Sequence, residues 1–303
     1  MGFVNRVKKK STKWVMKHVL KMGWATEIEV DGLIEYKDVP YMNRSGKELK
    51  MDIFKPDVDD SIDLPVIVNV HGGGLVAGNK RNSEGFCKLM AKHGYLVFSL
   101  EYRLAPAVHV YEQLDDVCAG MDCVGRKLVD FNVDLQRIYM ASESAGSLLS
   151  LYVCAMKKSK ALQEAIDYEP TRMFFKAIGL VSGMFYTKRM DPIGMFLSRT
   201  FYGKGEKSSA IKPYTNPENP EIIRNLPPCY LVTSKADFLE KYTLDYARAL
   251  EKNGIEYRLR EMGDDDRLVH AFPVMRPDYP ESEQVVSEII AWFEEHTPES
   301  SRP

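Results

Sequence analysis

The chain has 303 residues, 45% of them hydrophobic and 28% charged, which excludes a disordered, collagen-like or low-complexity protein. Its net charge of −2 is unevenly spread: seven basic residues and no acid fall within residues 1–26, leaving −9 on the rest and arguing against a nucleic-acid-binding core. No apolar stretch approaches the roughly 18 residues that a spanning helix needs, and five scattered cysteines in no metal-binding spacing read as small buried hydrophobes in a reducing, cytoplasmic setting.

Residues 3–22 read as an amphipathic helix, with Phe3, Val7, Trp14, Val15, Val19 and Met22 near one face and lysines mostly opposite. Those lysines interrupt the apolar run too often for a secretory signal. Residues 33–38 and 47–54 alternate like two strands joined by a turn at 43–46. The pattern then changes to short apolar runs separated by helical periodicity. Strands are expected at 65–70, 95–100, 137–141, 177–182, 230–233 and 255–261. Helices are expected at 83–93, 111–129, from 145 through 155, 239–252 and 281–295. Residues 184–225 break this rhythm with Met, Phe and Tyr among Pro and Gly, and read as an insertion. Apolar strands alternating with helices indicate a mostly parallel α/β sheet covered on both faces.

The informative pentapeptide is Ser142-Glu143-Ser144-Ala145-Gly146, between a strand and a helix. A nucleophile elbow of the G-x-S-x-G type needs that context, and small flanking residues, to lift a serine hydroxyl above the sheet edge. Taken alone it also reads as a helix N-cap. Three features add weight. His71-Gly72-Gly73-Gly74 ends an earlier strand, where bare backbone N–H groups approach a ligand oxygen; a plain glycine turn is the alternative, and the spacing fits no phosphate loop. Asp237 follows the strand at 230–233, at the sheet end where ligands bind, although it also suits a helix N-cap. His270 lies 33 residues further on, among apolar residues. The chain order Ser144, Asp237, His270 is the one used by α/β-hydrolases.

With these stand Tyr102-Arg103-Leu104-Ala105-Pro106, Leu226-Pro227-Pro228, Tyr246-Ala247 to Gly254-Ile255, and His270-Ala271-Phe272. Together the motifs resemble the hormone-sensitive-lipase-like branch of α/β-hydrolase esterases over residues 60–295. The resemblance implies an eight-stranded sheet, a helical cap built from the N-terminal segment and the insertion, and cleavage of short to medium acyl esters. It also implies oxyanion donors at Gly73, Gly74 and Ala145. The expected organisation is a cap helix and lead-in over 1–45, a hydrolase core over 46–183 and 226–303, and a cap insertion over 184–225. Three departures stand out: Ser142 replaces the first elbow glycine, Lys241 replaces a frequent second carboxylate, and Asp264-Asp265-Asp266 lengthens the approach to His270.

The expected activity is a serine carboxylesterase with no metal and no cofactor, acting on a small-molecule ester. A small-molecule binder on the same fold is the alternative, weakened by the presence of all three triad residue types. A membrane-surface lipid hydrolase, contacting lipid through residues 1–22, is the other; packing of that helix into the cap is favoured over it.

Overall fold

A computed structural model describes residues 25–44, 46–203 and 210–298. Eight strands, β1 (Leu33–Arg44), β2 (Lys47–Pro56), β3 (Leu64–Val70), β4 (Leu96–Leu100), β5 (Val133–Glu143), β6 (Ile178–Val181), β7 (Cys229–Ser234) and β8 (Tyr257–Met262), form one sheet. Their spatial order is β1-β2-β4-β3-β5-β6-β7-β8. β2 pairs antiparallel with β1 and β4, and every other pairing is parallel.

The central strands are short and apolar because both of their faces are covered. All seven residues of β3 are buried. Strand alternation sends Val66, Val68 and Val70 into one core and Ile67 into the other. The first core is closed by α2 (Val110–Lys127), α3 (Ala145–Met156) and α5 (Glu240–Lys252); α4 (Lys160–Ile166) adds Leu162 and Ile166. The second is closed by α1 (Glu84–Lys92) and α6 (Pro280–Glu295), which supplies Val285, Val286, Ile289, Trp292 and Phe293. The sheet, its parallel core and its two helical layers are those expected from the alternation.

The structure adds to the sequence reading in several places: β5 begins at Val133, ahead of the strand expected at 137–141, and the helix Lys160–Ile166 was not expected. β1 runs on to Arg44, with register shifts between Tyr36 and Val39 and between Pro40 and Met42. These irregularities break the period of two on which the shorter strand was read, and Pro40 is tolerated because β1 is an edge strand. The 184–225 segment holds short helices at Pro192–Phe196, Ser198–Tyr202 and Pro220–Ile223. It is fastened to α5: Arg189 pairs with Asp245 and lies over the Tyr186 ring, and Asp191 accepts the Tyr242 hydroxyl.

All five cysteines are unpaired and buried. Among the described residues no helix is long and apolar enough to cross a membrane. The expectation for residues 3–22 lies outside the described residues.

Candidate active site

Because β3 and β5 to β8 are parallel, the loops that follow them gather at one edge of the sheet. That edge brings Ser144, Asp237 and His270 together, with the 71–74 glycine loop beside the elbow. Ser144 sits between β5 and α3 with φ 51° and ψ −116°, a conformation that side-chain-bearing residues avoid at a cost of about 1–3 kcal/mol. The strain holds because the turn is fixed on every side. The Ser144 N–H donates to the Val181 carbonyl at 2.9 Å, and the Ser144 carbonyl accepts from Met184 at 2.9 Å. Gly146 is obligatory: a Cβ there would lie 2.0 Å from the Val70 carbonyl oxygen. Ser142 has no positive φ and packs fully buried in β5, so serine is accommodated at this place in the elbow.

His270 bridges the other two candidates. Its Nδ1 lies 2.7 Å from Asp237 Oδ1 and its Nε2 lies 2.9 Å from Ser144 Oγ. A carboxylate only accepts, so Nδ1 donates and Nε2 is left to accept the serine proton. The Asp237 carboxylate also takes the Leu239 N–H at 2.8 Å and the Thr233 hydroxyl at 3.3 Å. Burial opposes ionisation of Asp237. The His270 charge and hydrogen bond, the Leu239 amide and the Ser182 hydroxyl outweigh it, so the carboxyl titrates below its ordinary value. Asp237 is not the helix N-cap that its position also suited: Leu239 holds that place in α5, and the bond from the Leu239 N–H to Asp237 closes a turn just ahead of the helix. The Phe238 ring lies against the His270 ring, centroids 4.4 Å apart, and remains partly exposed.

The glycine loop is held with equal care. The Gly72 carbonyl accepts from His71 Nδ1 at 2.8 Å, and the Tyr102 hydroxyl donates to the preceding His71 carbonyl at 2.8 Å, with the Gly72 carbonyl further off at 3.3 Å. Its trans peptide is planar, so fixing that carbonyl fixes the Gly73 N–H in the opposite direction. Gly73 itself has φ 99°, and a Cβ there would lie 2.0 Å from the Ala77 carbonyl oxygen. His71 stacks on Tyr102, and burial pushes its pKa down to about 4, so it is a neutral donor. Ala145 opens α3, where its N–H has no intrahelical acceptor.

Glu143 belongs to this arrangement, and the sequence reading gave it no role. Its side chain accepts the Gly72 N–H at 2.6 Å and the Ser83 hydroxyl at 3.2 Å, joining the elbow to the glycine loop. Its position inside the pentapeptide was the available signal, but the partner lies in the loop after β3, 71 residues away. Burial raises its pKa to about 8, against the Gly72 and Ser83 hydrogen bonds that lower it. The folded protein therefore holds a proton that the unfolded chain releases near its ordinary value, and stability falls as pH rises through 8. Between pH 6 and 9 this amounts to about 3 kcal/mol. Thermal melts at the two pH values should show that loss in the wild type and a smaller one in Glu143→Gln; equal losses would mean that Glu143 is ionised throughout.

The departures noted in the sequence are absorbed locally. Lys241 pairs with Asp245 on the exposed side of α5, and Arg267 takes up Asp265 together with Glu281. No cluster of three or more potential metal ligands occurs among the described residues.

Comparison with known proteins agrees with this architecture. A family model described as alpha/beta hydrolase fold matches residues 67–273. Among curated relatives, the esterase LipI of Mycobacterium tuberculosis is 24% identical over 72% of this chain and 68% of its own length. The carboxylic ester hydrolase LipN of the same organism is 27% identical over 69% of this chain, which spans only 57% of that relative. Among solved structures, esterase B from Lactobacillus rhamnosis superposes with a TM-score of 0.85 over 98% of this chain and 97% of that one, at 20% identity. That esterase has also been solved inhibited by a tributyrin phosphonate.

Proposed function

Since the chain belongs to the alpha/beta-hydrolase fold family, in its hormone-sensitive-lipase-like branch, we propose that it is a serine carboxylesterase acting through Ser144, His270 and Asp237. The observation that carries this reading is the line of two hydrogen bonds, 2.7 Å and 2.9 Å, from Asp237 through His270 to Ser144. Nucleophile, base and base-orienting group are each within hydrogen-bond reach, with the nucleophile on a strained turn.

In the reaction so read, His270 Nε2 takes the Ser144 proton as Oγ attacks the ester carbonyl. The N–H groups of Gly73, Gly74 and Ala145 receive the oxyanion, the first of them aimed by the fastening of the Gly72 carbonyl. His270 then gives its proton to the departing alkoxide. A water molecule, activated by the same imidazole, releases the acid and restores Ser144. Asp237 stays ionised and stabilises the imidazolium. LipI and LipN, an esterase and a carboxylic ester hydrolase by name, support ester cleavage as the reaction class. Short to medium acyl chains remain our reading of the substrate range.

The test combines a fluorophosphonate probe with a series of soluble aryl esters from acetyl to decanoyl. Stoichiometric labelling at Ser144, with turnover highest at or below about eight acyl carbons, is expected. A folded protein that takes no label and turns over no ester is a binder on this fold.

A further inference from the structure

Two buried serines at the ends of neighbouring strands have no part in the chemistry above. Ser182, one residue past β6, is 1% exposed, and its Oγ accepts the Ala271 N–H at 2.9 Å. Ser234, the last residue of β7, is equally buried and donates its hydroxyl to the Leu268 carbonyl. The two contacts bracket His270. One holds the residue immediately after it, the other the residue two before it. They cross 89 and 34 positions of chain, so neither is a local turn bond. The Ser182 hydroxyl also helps to hold the Asp237 carboxyl below its ordinary value, so it acts both on the loop that carries the imidazole and on the group that orients it.

The backbone supports a positioning role over mere polar satisfaction. Ser182 and Ala271 both have left-handed φ, 52° and 53°, although neither is glycine. Such residues persist only where surrounding contacts over-determine them. Released from Ser182, Ala271 would be free to relax toward ordinary φ and would turn the adjoining His270. The imidazole tolerates little of this, because a misplacement of about 1 Å costs on the order of 10²-fold in rate.

We propose that Ser182 and Ser234 are positioning residues for His270, a two-point clamp from adjacent strands that sets the reach of Nε2 toward Ser144. The proposal rests on the serine-esterase reading given above, and the experiment separates the two.

The variants are Ser182→Ala, Ser182→Gly, Ser234→Ala and Ser234→Thr, assayed on a butyryl aryl ester. Rates are expressed per site titrated with fluorophosphonate, so that misfolded material does not count. Each variant lacking a hydroxyl should lose about tenfold or more in kcat with KM within about twofold, and should be inactivated by fluorophosphonate correspondingly slowly. Ser182→Gly accepts the left-handed backbone without strain, so equal losses in the Ala and Gly variants assign the effect to the hydroxyl. Ser234→Thr keeps the hydroxyl and should recover most of the loss. Lowered melting temperatures with kcat unchanged would overturn the clamp, as would full activity in Ser182→Gly. If the wild type neither labels nor hydrolyses esters, the esterase reading itself fails.

Discussion

Ser144→Ala should abolish turnover of a butyryl aryl ester, leaving at most the roughly 10³–10⁴-fold advantage over water that binding and oxyanion donors supply in serine hydrolases. No neighbouring hydroxyl is placed to substitute. Ser142 Oγ faces Ser147 at 3.5 Å inside the core, and Ser147 Oγ turns back to the Ser142 carbonyl at 3.3 Å. Both side chains are fully buried, away from His270. The replacement keeps a Cβ at the strained φ of 51°, so the turn loses no contact except the hydroxyl bond to His270. The melting temperature should therefore change little while the rate collapses, and the fluorophosphonate label should disappear with the activity. Turnover near the wild-type rate would move the nucleophile elsewhere.

Asp237→Asn should cost about 10⁴ in kcat, the scale seen when the orienting carboxylate of a serine triad is neutralised. The asparagine amide offers Nδ1 of His270 an N–H in one of its orientations, which favours the tautomer that points a proton, and not a lone pair, at Ser144. It also removes the countercharge for the imidazolium, in a site where Asp237 is 4% exposed and His270 is 3% exposed. His270→Ala should fall at least as far. The double variant should fall little below the worse of the two, because groups that act as one unit lose their function together. Multiplicative losses, measured as kcat/KM for the single and double variants, would show that Asp237 and His270 work independently.

Much of this site was legible in the chain. Ser144 and Asp237 stand out because each follows a strand that ends in a buried run, and His270 because it follows the last strand in an apolar pentapeptide; parallel strands deliver their ends to one edge. The glycines of the 71–74 loop stand out because three together leave the backbone bare. What was not legible depends on partners far apart in sequence. Glu143 is an ordinary acid until β3 and β5 pair and bring Gly72 beside it. Ser182 and Ser234 are two among many serines until the loop before α6 folds across the strand ends. The fastening of the 71–74 loop by Tyr102, through the His71 carbonyl, needs β4 beside β3, which no local pattern contains. In the fold, the core strands were readable from continuous apolar runs. β1 was read short because its irregular pairing with β2 hides the alternation that marks a strand.

The burial of all five thiols also matters for handling the protein. Desolvation raises the pKa of Cys87, Cys118, Cys154 and Cys229, so at neutral pH these groups are protonated as well as screened from reagents. These four thiols thus present a low background to maleimides. A cysteine introduced at a surface position such as Met190, which is 89% exposed beside the Arg189 anchor, would be the reactive thiol of the molecule. A fluorophore or spin label could then report on the segment that Arg189 and Asp191 fasten to α5, without first removing any of the native cysteines.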